Sequence, residues 1–249
     1  MKAMIFAAGL GSRLRPLTDT TPKALIEVGG IPMLERVTRR LIAAGVNRIV
    51  VNVHHHADSI EHFLRNNNNF GADIAISNER ELLLDTGGGV VKASALLTDG
   101  RCDEPIMLYN ADILTDFPIE EMLAEHIAGR AAATLLVSTD RPSTRGFLFD
   151  DNRRLCGWIN HVSGEVRSPL TVPEGAKAMA FGGIHIINPE LIETMTAYGR
   201  NNGEIFSLTP FYTATCDQNI YRAYIPHAPY RWVDIGRHDT LEQARLMFD

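Results

Sequence analysis

A chain of 249 residues that is 45% hydrophobic and 22% charged, with a formal net charge of −6, has the makeup of a globular protein long enough for one large α/β domain. The negative balance, with no basic stripe, excludes nucleic acid as a main partner, and no apolar run reaches the roughly 20 residues that a membrane span needs. Three cysteines, Cys102, Cys156 and Cys216, lack metal-ligand spacing and read as free thiols of a reducing compartment, so a cytoplasmic protein is expected.

The first element is a buried strand over residues 2–8. It runs into a small-residue loop, Ala7-Ala8-Gly9-Leu10-Gly11-Ser12, followed by Arg13 and then by Pro22-Lys23. Gly9 and Gly11 carry no Cβ, so the chain can turn sharply and offer N–H groups to a polyanion. Arg13 and Lys23 add the fixed positive charge that bare amides lack. The segment predicts a nucleoside triphosphate site; the alternative is a plain glycine turn between strand and helix. The dinucleotide fingerprint is not matched at its third glycine position, which is Leu14, and Pro16 follows where its helix should start; the P-loop pattern fails for lack of Gly-Lys-Ser/Thr.

Apolar spacing then predicts a helix over 33–44, a strand over 48–53, a helix over 59–64, a strand over 74–77, a helix over 89–97 and a strand over 106–109. Strands separated by helices imply a largely parallel sheet, with ligands bound beyond the carboxyl ends of its strands. The glycine loop, Glu79 and Asp112 all fall at such ends. Asp112, in Tyr109-Asn110-Ala111-Asp112, is a carboxylate well placed to hold Mg²⁺, or to cap a turn. Asp85-Thr86-Gly87-Gly88-Gly89 precedes a helix; its glycines allow a flat ligand close to the backbone, or serve the turn alone. His54-His55-His56 is a poor metal site, because neighbours on a strand point to opposite sides.

From residue 132 the pattern becomes β-rich. Strands are expected over 132–138, 147–150, 155–160 and 178–187 as antiparallel additions. Helices at 189–197 and 208–216, a strand at 221–225, a short segment at 231–234 and a closing helix from Asp239 follow. No repeat or linker divides the chain. The expectation is one domain, 1–249, as a mixed, mainly parallel Rossmann-like sheet flanked by helices, with a β-rich part. No oligomeric state is specified.

Ala7-Ala8-Gly9-x-Gly11-Ser12-Arg13-Leu14-x-Pro16 with Pro22-Lys23, the Asp112 triplet and Trp232-Val233-Asp234-Ile235-Gly236 resemble, in order, the motifs of sugar-1-phosphate nucleotidyltransferases. The resemblance implies Mg²⁺-dependent transfer of a nucleoside monophosphate from a nucleoside triphosphate to a sugar 1-phosphate. It implies that Arg13, Lys23, Asp112 and Asp234 are catalytic, with Asp112 and Asp234 as metal ligands. Ala7, Ala8, Gly9, Gly11, Ser12, Glu79, Thr86, Gly87 and Gly88 would bind the nucleotide, with Glu79 at the base edge. Asn110, Gly146, Asn160, Gly182 and Trp232 would face the sugar. Residues 1–130 would then serve mainly the nucleotide, and 131–249 the sugar and the second aspartate.

The family's Glu-Lys-Pro, whose lysine holds the sugar phosphate, is replaced by Asn160-His161. His161, Arg145 and Arg237 are substitutes for it; Arg237 could equally be a surface residue. Within the family, uridylyl transfer to N-acetylmuramate 1-phosphate is the closest likeness, with guanylyl transfer to mannose 1-phosphate as the alternative. Two readings from other classes are a Rossmann oxidoreductase or epimerase and a non-catalytic nucleotide-sensing module.

Overall fold

The structure is a computed structural model that describes residues 1–100 and 104–248; Cys102 lies outside the described residues. Its parallel half is built from β1 (Lys2–Phe6), β4 (Arg48–Val53), β5 (Asp73–Asn78) and β6 (Ile106–Asn110); between β1 and β4 the chain makes a short separate hairpin of β2 (Glu27–Val28) and β3 (Ile31–Pro32). Strand β1 is central and pairs in parallel with β4 on one side and β6 on the other, and β5 extends the sheet beyond β4. Alternation along β1 explains why it is apolar throughout. Ala3 and Ile5 face one core and Met4 the other, each fully buried, as a strand covered on both faces requires.

Helices α1 (Met33–Ala43), α2 (Ala57–Asn66) and α4 (Ile119–Gly129) pack on the Ile5 face; α3 (Asp85–Thr98), α5 (Leu191–Asn202) and α6 (Leu208–Thr215) pack on the Met4 face. Among the described residues no helix is long and apolar enough to cross a membrane.

The registers Phe6↔Asn52, Phe6↔Asn110 and Asn52↔Ser77 align the carboxyl ends of the parallel strands. This alignment carries the glycine loop and the Asp112 segment to one rim of the sheet.

The second half attaches through β12 (Lys177–Ile187). It pairs antiparallel with β6 and β9 (Arg145–Phe149) at opposite ends of its length, and with β8 (Ala133–Ser138). A register break between Phe181 and His185 falls at Gly182-Gly183, where φ of Gly183 is +72°. A Cβ there would sit 3.0 Å from Asn110 Nδ2, so glycine lets β12 press against the Asp112 segment. Strands β10 (Leu155–Asn160) and β11 (Val166–Arg167) continue the antiparallel edge. The addition β13 (Tyr221–Tyr224) joins β8 in parallel.

Three elements differ from the sequence-based expectation. Helix α4 was not anticipated, because its buried stripe is short: Ile119, Met122 and a histidine, His126, bonded to Thr134 and Asn188. Helix α3 begins at Asp85, so Gly87, Gly88 and Gly89 lie in its first turns rather than in a loop before it. A separate ribbon pairs β7 (Ile113–Thr115) with β14 (Trp232–Asp234). It rests on a third small core of Leu14, Ile26, Val28, Met33, Leu114, Val233, Ile235, Leu241 and Ala244, closed by α7 (His238–Phe248).

Candidate active site

Ala7 to Arg13 line a cavity of about 500 Å³, together with Lys23, Asn52, Leu83, Asp85, Thr86, Asn110, Asp112, Ile205 and Gly236. The loop is held from behind by Asn52, whose Oδ1 accepts from the N–H groups of Ala7 (2.8 Å) and Ala8 (3.3 Å). Those two amides are therefore committed to protein, while those of Gly9, Leu10 and Gly11 take no protein partner among the described residues. Gly11 has φ +63°, and a Cβ on it would lie 2.7 Å from Thr18 Cγ2, whose hydroxyl donates to the Gly11 carbonyl. Both backbone conformation and packing call for glycine.

Asp112 and Asp234 meet through the ribbon. Asp234 pairs with Ile113 across it, and the Ile235 N–H donates to the Asp112 carbonyl at 3.0 Å. Lys23 bonds Asp112 Oδ2, and its ammonium stands 3.9 Å from Asp234 Oδ1. The Gly236 N–H donates to Asp234 Oδ1 at 2.6 Å. A Cβ on Gly236 would sit 3.0 Å from Arg13 Nη2 and 3.1 Å from Lys23 Nζ, so this glycine lets two cations close on one carboxylate. Burial, then repulsion from Asp112, raises the Asp234 carboxyl above its usual range, and Lys23, the Gly236 amide and Arg13 oppose the rise. Asp112 Oδ1 is buried with no hydrogen-bond partner among the described residues. Among the described residues no group of three or more His, Cys, Asp or Glu side chains forms a metal-type cluster.

Three nucleotide-side expectations change. Glu79 is fully buried and does not line the cavity. Its carboxylate accepts from Asn52 Nδ2 (2.8 Å) and from the Leu84 N–H (3.1 Å), so it braces the loop through Asn52 instead of standing at an open edge. Gly87 and Gly88 also face protein. Their N–H groups donate to the Phe206 carbonyl (2.8 and 3.2 Å), and a Cβ on either would sit 2.2 Å from the 204–206 segment. Thr86 does line the cavity, while its Oγ1 accepts from the Leu208 N–H.

Gly146 and Asn160 line a second cavity, of about 710 Å³, with Arg145, Trp158, Arg167 and Phe181. Asn110 lies on the glycine-loop cavity instead. Trp232 lines a third cavity of about 570 Å³ with Arg13, Arg141, Asp234 and Arg237, and its Nε1–H donates to the Gly182 carbonyl at 2.9 Å. Gly182 itself packs on Leu136, 2.9 Å from a Cβ built there. His161 lines none of the three cavities, and Arg237 is paired with Asp239. In the histidine run, His54 Nδ1 bonds the Glu79 carbonyl, and His56 precedes α2 with φ +53°.

Sequence reasoning did not single out Asn52, which holds the loop, or Arg141, which lines the third cavity. A lone polar residue inside Ile49-Val50-Val51-Asn52-Val53 was the signal for the first; Arg141 carries no motif.

Residues 2–248 match the nucleotidyl transferase family. The chain is 32% identical over 255 residues to N-acetylmuramate alpha-1-phosphate uridylyltransferase of Neisseria meningitidis serogroup B, covering 99% of this chain and 98% of that protein. It is 29% identical over 259 residues to a probable mannose-1-phosphate guanylyltransferase 2 of Arabidopsis thaliana, covering 100% of this chain and 65% of that protein. Its fold superimposes with a TM-score of 0.80, at 19% identity, on a putative glucose-1-phosphate thymidylyltransferase from Bacillus anthracis, covering 99% and 94% of the two chains. Matched along almost its whole length in sequence and in fold, the chain belongs to the nucleotidyl transferase family and is an enzyme of that class.

Proposed function

We propose that the protein transfers a nucleoside monophosphate from a nucleoside triphosphate to a sugar 1-phosphate. An oxygen of the acceptor phosphate attacks the α-phosphorus in line. A new P–O bond forms as the bond between the α-phosphorus and its bridging oxygen breaks, and pyrophosphate leaves with the electron pair. The observation that carries the reading is the convergence of Lys23, Asp112 and Asp234, from three distant stretches, beside the glycine-loop cavity.

Such chemistry needs positioning and charge neutralisation more than a side-chain nucleophile. The loop amides and Arg13 hold the β- and γ-phosphates, and Lys23 neutralises the α-phosphate as charge develops. Asp112, with an unpartnered Oδ1, and Asp234 suit Mg²⁺, which takes hard oxygen ligands and completes its shell with waters and phosphate oxygens. When bound, Mg²⁺ supplies charge neutralisation at the phosphates and at the leaving group. Residues 1–130 serve mainly the nucleotide; residues 131–249 supply Asp234 and the acceptor side.

UTP with N-acetylmuramate 1-phosphate is the pair best supported, by the relative matched over nearly the full length of both chains. The plant relative favours GTP with mannose 1-phosphate as the second reading. Pyrophosphate release is measured with Mg²⁺ across UTP, GTP, CTP, ATP and dTTP against a panel of sugar 1-phosphates. Release that requires UTP, N-acetylmuramate 1-phosphate and Mg²⁺, and that stops with a chelator, is expected. A preference for GTP with mannose 1-phosphate overturns the uridylyl assignment. Silence on every pair, with triphosphate binding intact, overturns transfer in favour of a nucleotide sensor.

A further inference from the structure

The acceptor phosphate needs a cation, and the lysine that supplies one in the resembled pattern is replaced by Asn160-His161. The 570 Å³ cavity lies between the other two. It shares Arg13 with the glycine-loop cavity, and Ser143 and Phe181 with the 710 Å³ cavity. Asp234 lines this cavity and neither of the other two, so it is the space that joins the β-rich side to that carboxylate.

Arg141 lines this middle cavity beside Asp234. Its guanidinium lies 3.7 Å from the centre of the Trp232 ring, and its Nη2 donates to the carbonyls of Ala180 (2.9 Å) and Phe181 (2.7 Å). The backbone beneath it is fixed by its N–H donating to Ser138 Oγ at 3.1 Å. Trp232 is itself held by the Gly182 carbonyl, within the β12 bulge. The side chain is thus stacked and anchored at one nitrogen. Nε and Nη1 have no protein acceptor among the described residues, and neither is a buried orphan. Arginine keeps its charge even where burial lowers its proton affinity. No carboxylate lies within ion-pair distance of it among the described residues.

The three substitutes legible in the sequence lack this set of properties. His161 lines none of the cavities, Arg237 is engaged by Asp239, and Arg145 lines only the larger acceptor cavity.

We infer that Arg141 binds the phosphate monoester of the acceptor and holds it against the Asp112–Asp234 pair. The inference rests on the transfer reading above and names the group that seats its second substrate. A preset, stacked guanidinium suits a phosphate dianion because little side-chain freedom is lost on binding.

Arg141→Gln keeps a donor for the Phe181 carbonyl and removes the charge; Arg141→Lys keeps the charge and loses the stack. In steady state with the active pair, the acceptor KM rises about tenfold to a hundredfold in the Gln variant and less in the Lys variant, while the KM for the triphosphate stays within about twofold. Unchanged acceptor KM and kcat in folded Gln variant overturn the inference. So does a joint loss of triphosphate affinity and thermal midpoint in both variants, which marks a structural cation only.

A second readout does not depend on turnover. With a non-hydrolysable triphosphate analogue saturating the first cavity, inorganic phosphate binding is measured by calorimetry. It weakens about tenfold from wild type to Arg141→Gln. Equal binding, or no binding to the wild type, overturns the site. Phosphate held through Arg141 in a wild type that is silent on every substrate pair overturns transfer and leaves the anion site standing.

Discussion

At the scale of single residues, the site is an exercise in placing two carboxylates and two cations within a few ångströms. Lys23 offsets the repulsion between Asp112 and Asp234, so removing it does more than delete one contact. Lys23→Ala and Asp112→Asn are each expected to lower kcat/KM about a hundredfold or more, read by pyrophosphate release; by calorimetry the thermal midpoint stays close to wild type in Asp112→Asn, which relieves the repulsion, and falls in Lys23→Ala, which exposes it. Asn52 has a different task. It accepts from two loop amides and donates to the buried Glu79. Asn52→Ala strands these buried groups at about 1–3 kcal/mol each. A midpoint lower by several degrees and weaker triphosphate binding are expected, and an unaltered midpoint would remove Asn52 from the loop's support.

Arg13, Lys23 and Asp112 could be read from the chain because each sits in a local pattern: glycines before Arg13, Pro22 before Lys23, an apolar run before Asp112; Asp234 entered only through the likeness of its Trp-x-Asp-x-Gly setting to the family's motif. Glu79 and Arg141 could not, for a carboxylate after a strand has the same sequence whether it faces a ligand or the interior. Burial by Asn52 and the Leu84 amide decided the first, and stacking on Trp232, 91 positions away by number, decided the second.

At the scale of elements, α3 shows how packing overrides propensity. Glycine within a helix costs about 1 kcal/mol relative to alanine. Gly87 and Gly88 are kept because the 204–206 segment crosses directly over them. Gly88→Ala places a methyl 2.2 Å from the Glu204 carbonyl oxygen, and backbone cannot swing away as a flexible side chain does. The gain in helix propensity is outweighed. A lower thermal midpoint and weaker triphosphate affinity are expected, since Ile205 of the displaced segment lines the glycine-loop cavity. A midpoint at or above wild type would show that the segment yields freely.

Strand β12 and helix α6 carry a second element-scale consequence. His185 is fully buried, accepts or donates one hydrogen bond with the Tyr212 hydroxyl, and burial brings its pKa down from 6.5 to about 3. The folded value lies below the unfolded one, so folding favours the neutral ring. This contribution is complete above about pH 6.5 and is lost as pH falls from there toward 3, by at most about 1.4 kcal/mol per pH unit. His126, lowered chiefly by burial, acts in the same direction. His185→Gln is expected to flatten the decline of the urea midpoint between pH 6.5 and 4; an unchanged slope would show that His185 does not drive it.

At the scale of the whole molecule, two cores flank the sheet and a third, smaller one assembles the chemistry. Leu14 adjoins Arg13 in sequence, Ile26 follows Lys23, Leu114 follows Asp112, and Val233 and Ile235 bracket Asp234; all five pack in that third core with α7. The cluster acts as a common base for four side chains that share no strand. Ile235→Ala removes buried methyl groups at about 2–5 kcal/mol. The loss should appear as faster amide exchange in β7, β14 and α7 and as reduced kcat, with exchange in β1 and β4 retained. Uniform exchange changes across the sheet would show that the third core is not a separate unit.

Local periodicity and glycine conformation, both legible along the chain, set the alternation of strand and helix, the parallel half of the sheet and the rim where its glycine loop lies. The sequence also displayed Arg13, Lys23 and Asp112, while Asp234 stood out only by its likeness to the family's motif. Tertiary structure alone decided that β7 and β14 join residues 113–115 to 232–234, that β12 bulges at Gly182-Gly183, that Glu79 faces inward and that Arg141 lines the middle cavity. Pairing between segments more than 100 residues apart is settled by which surfaces bury together, and no spacing within either segment records it.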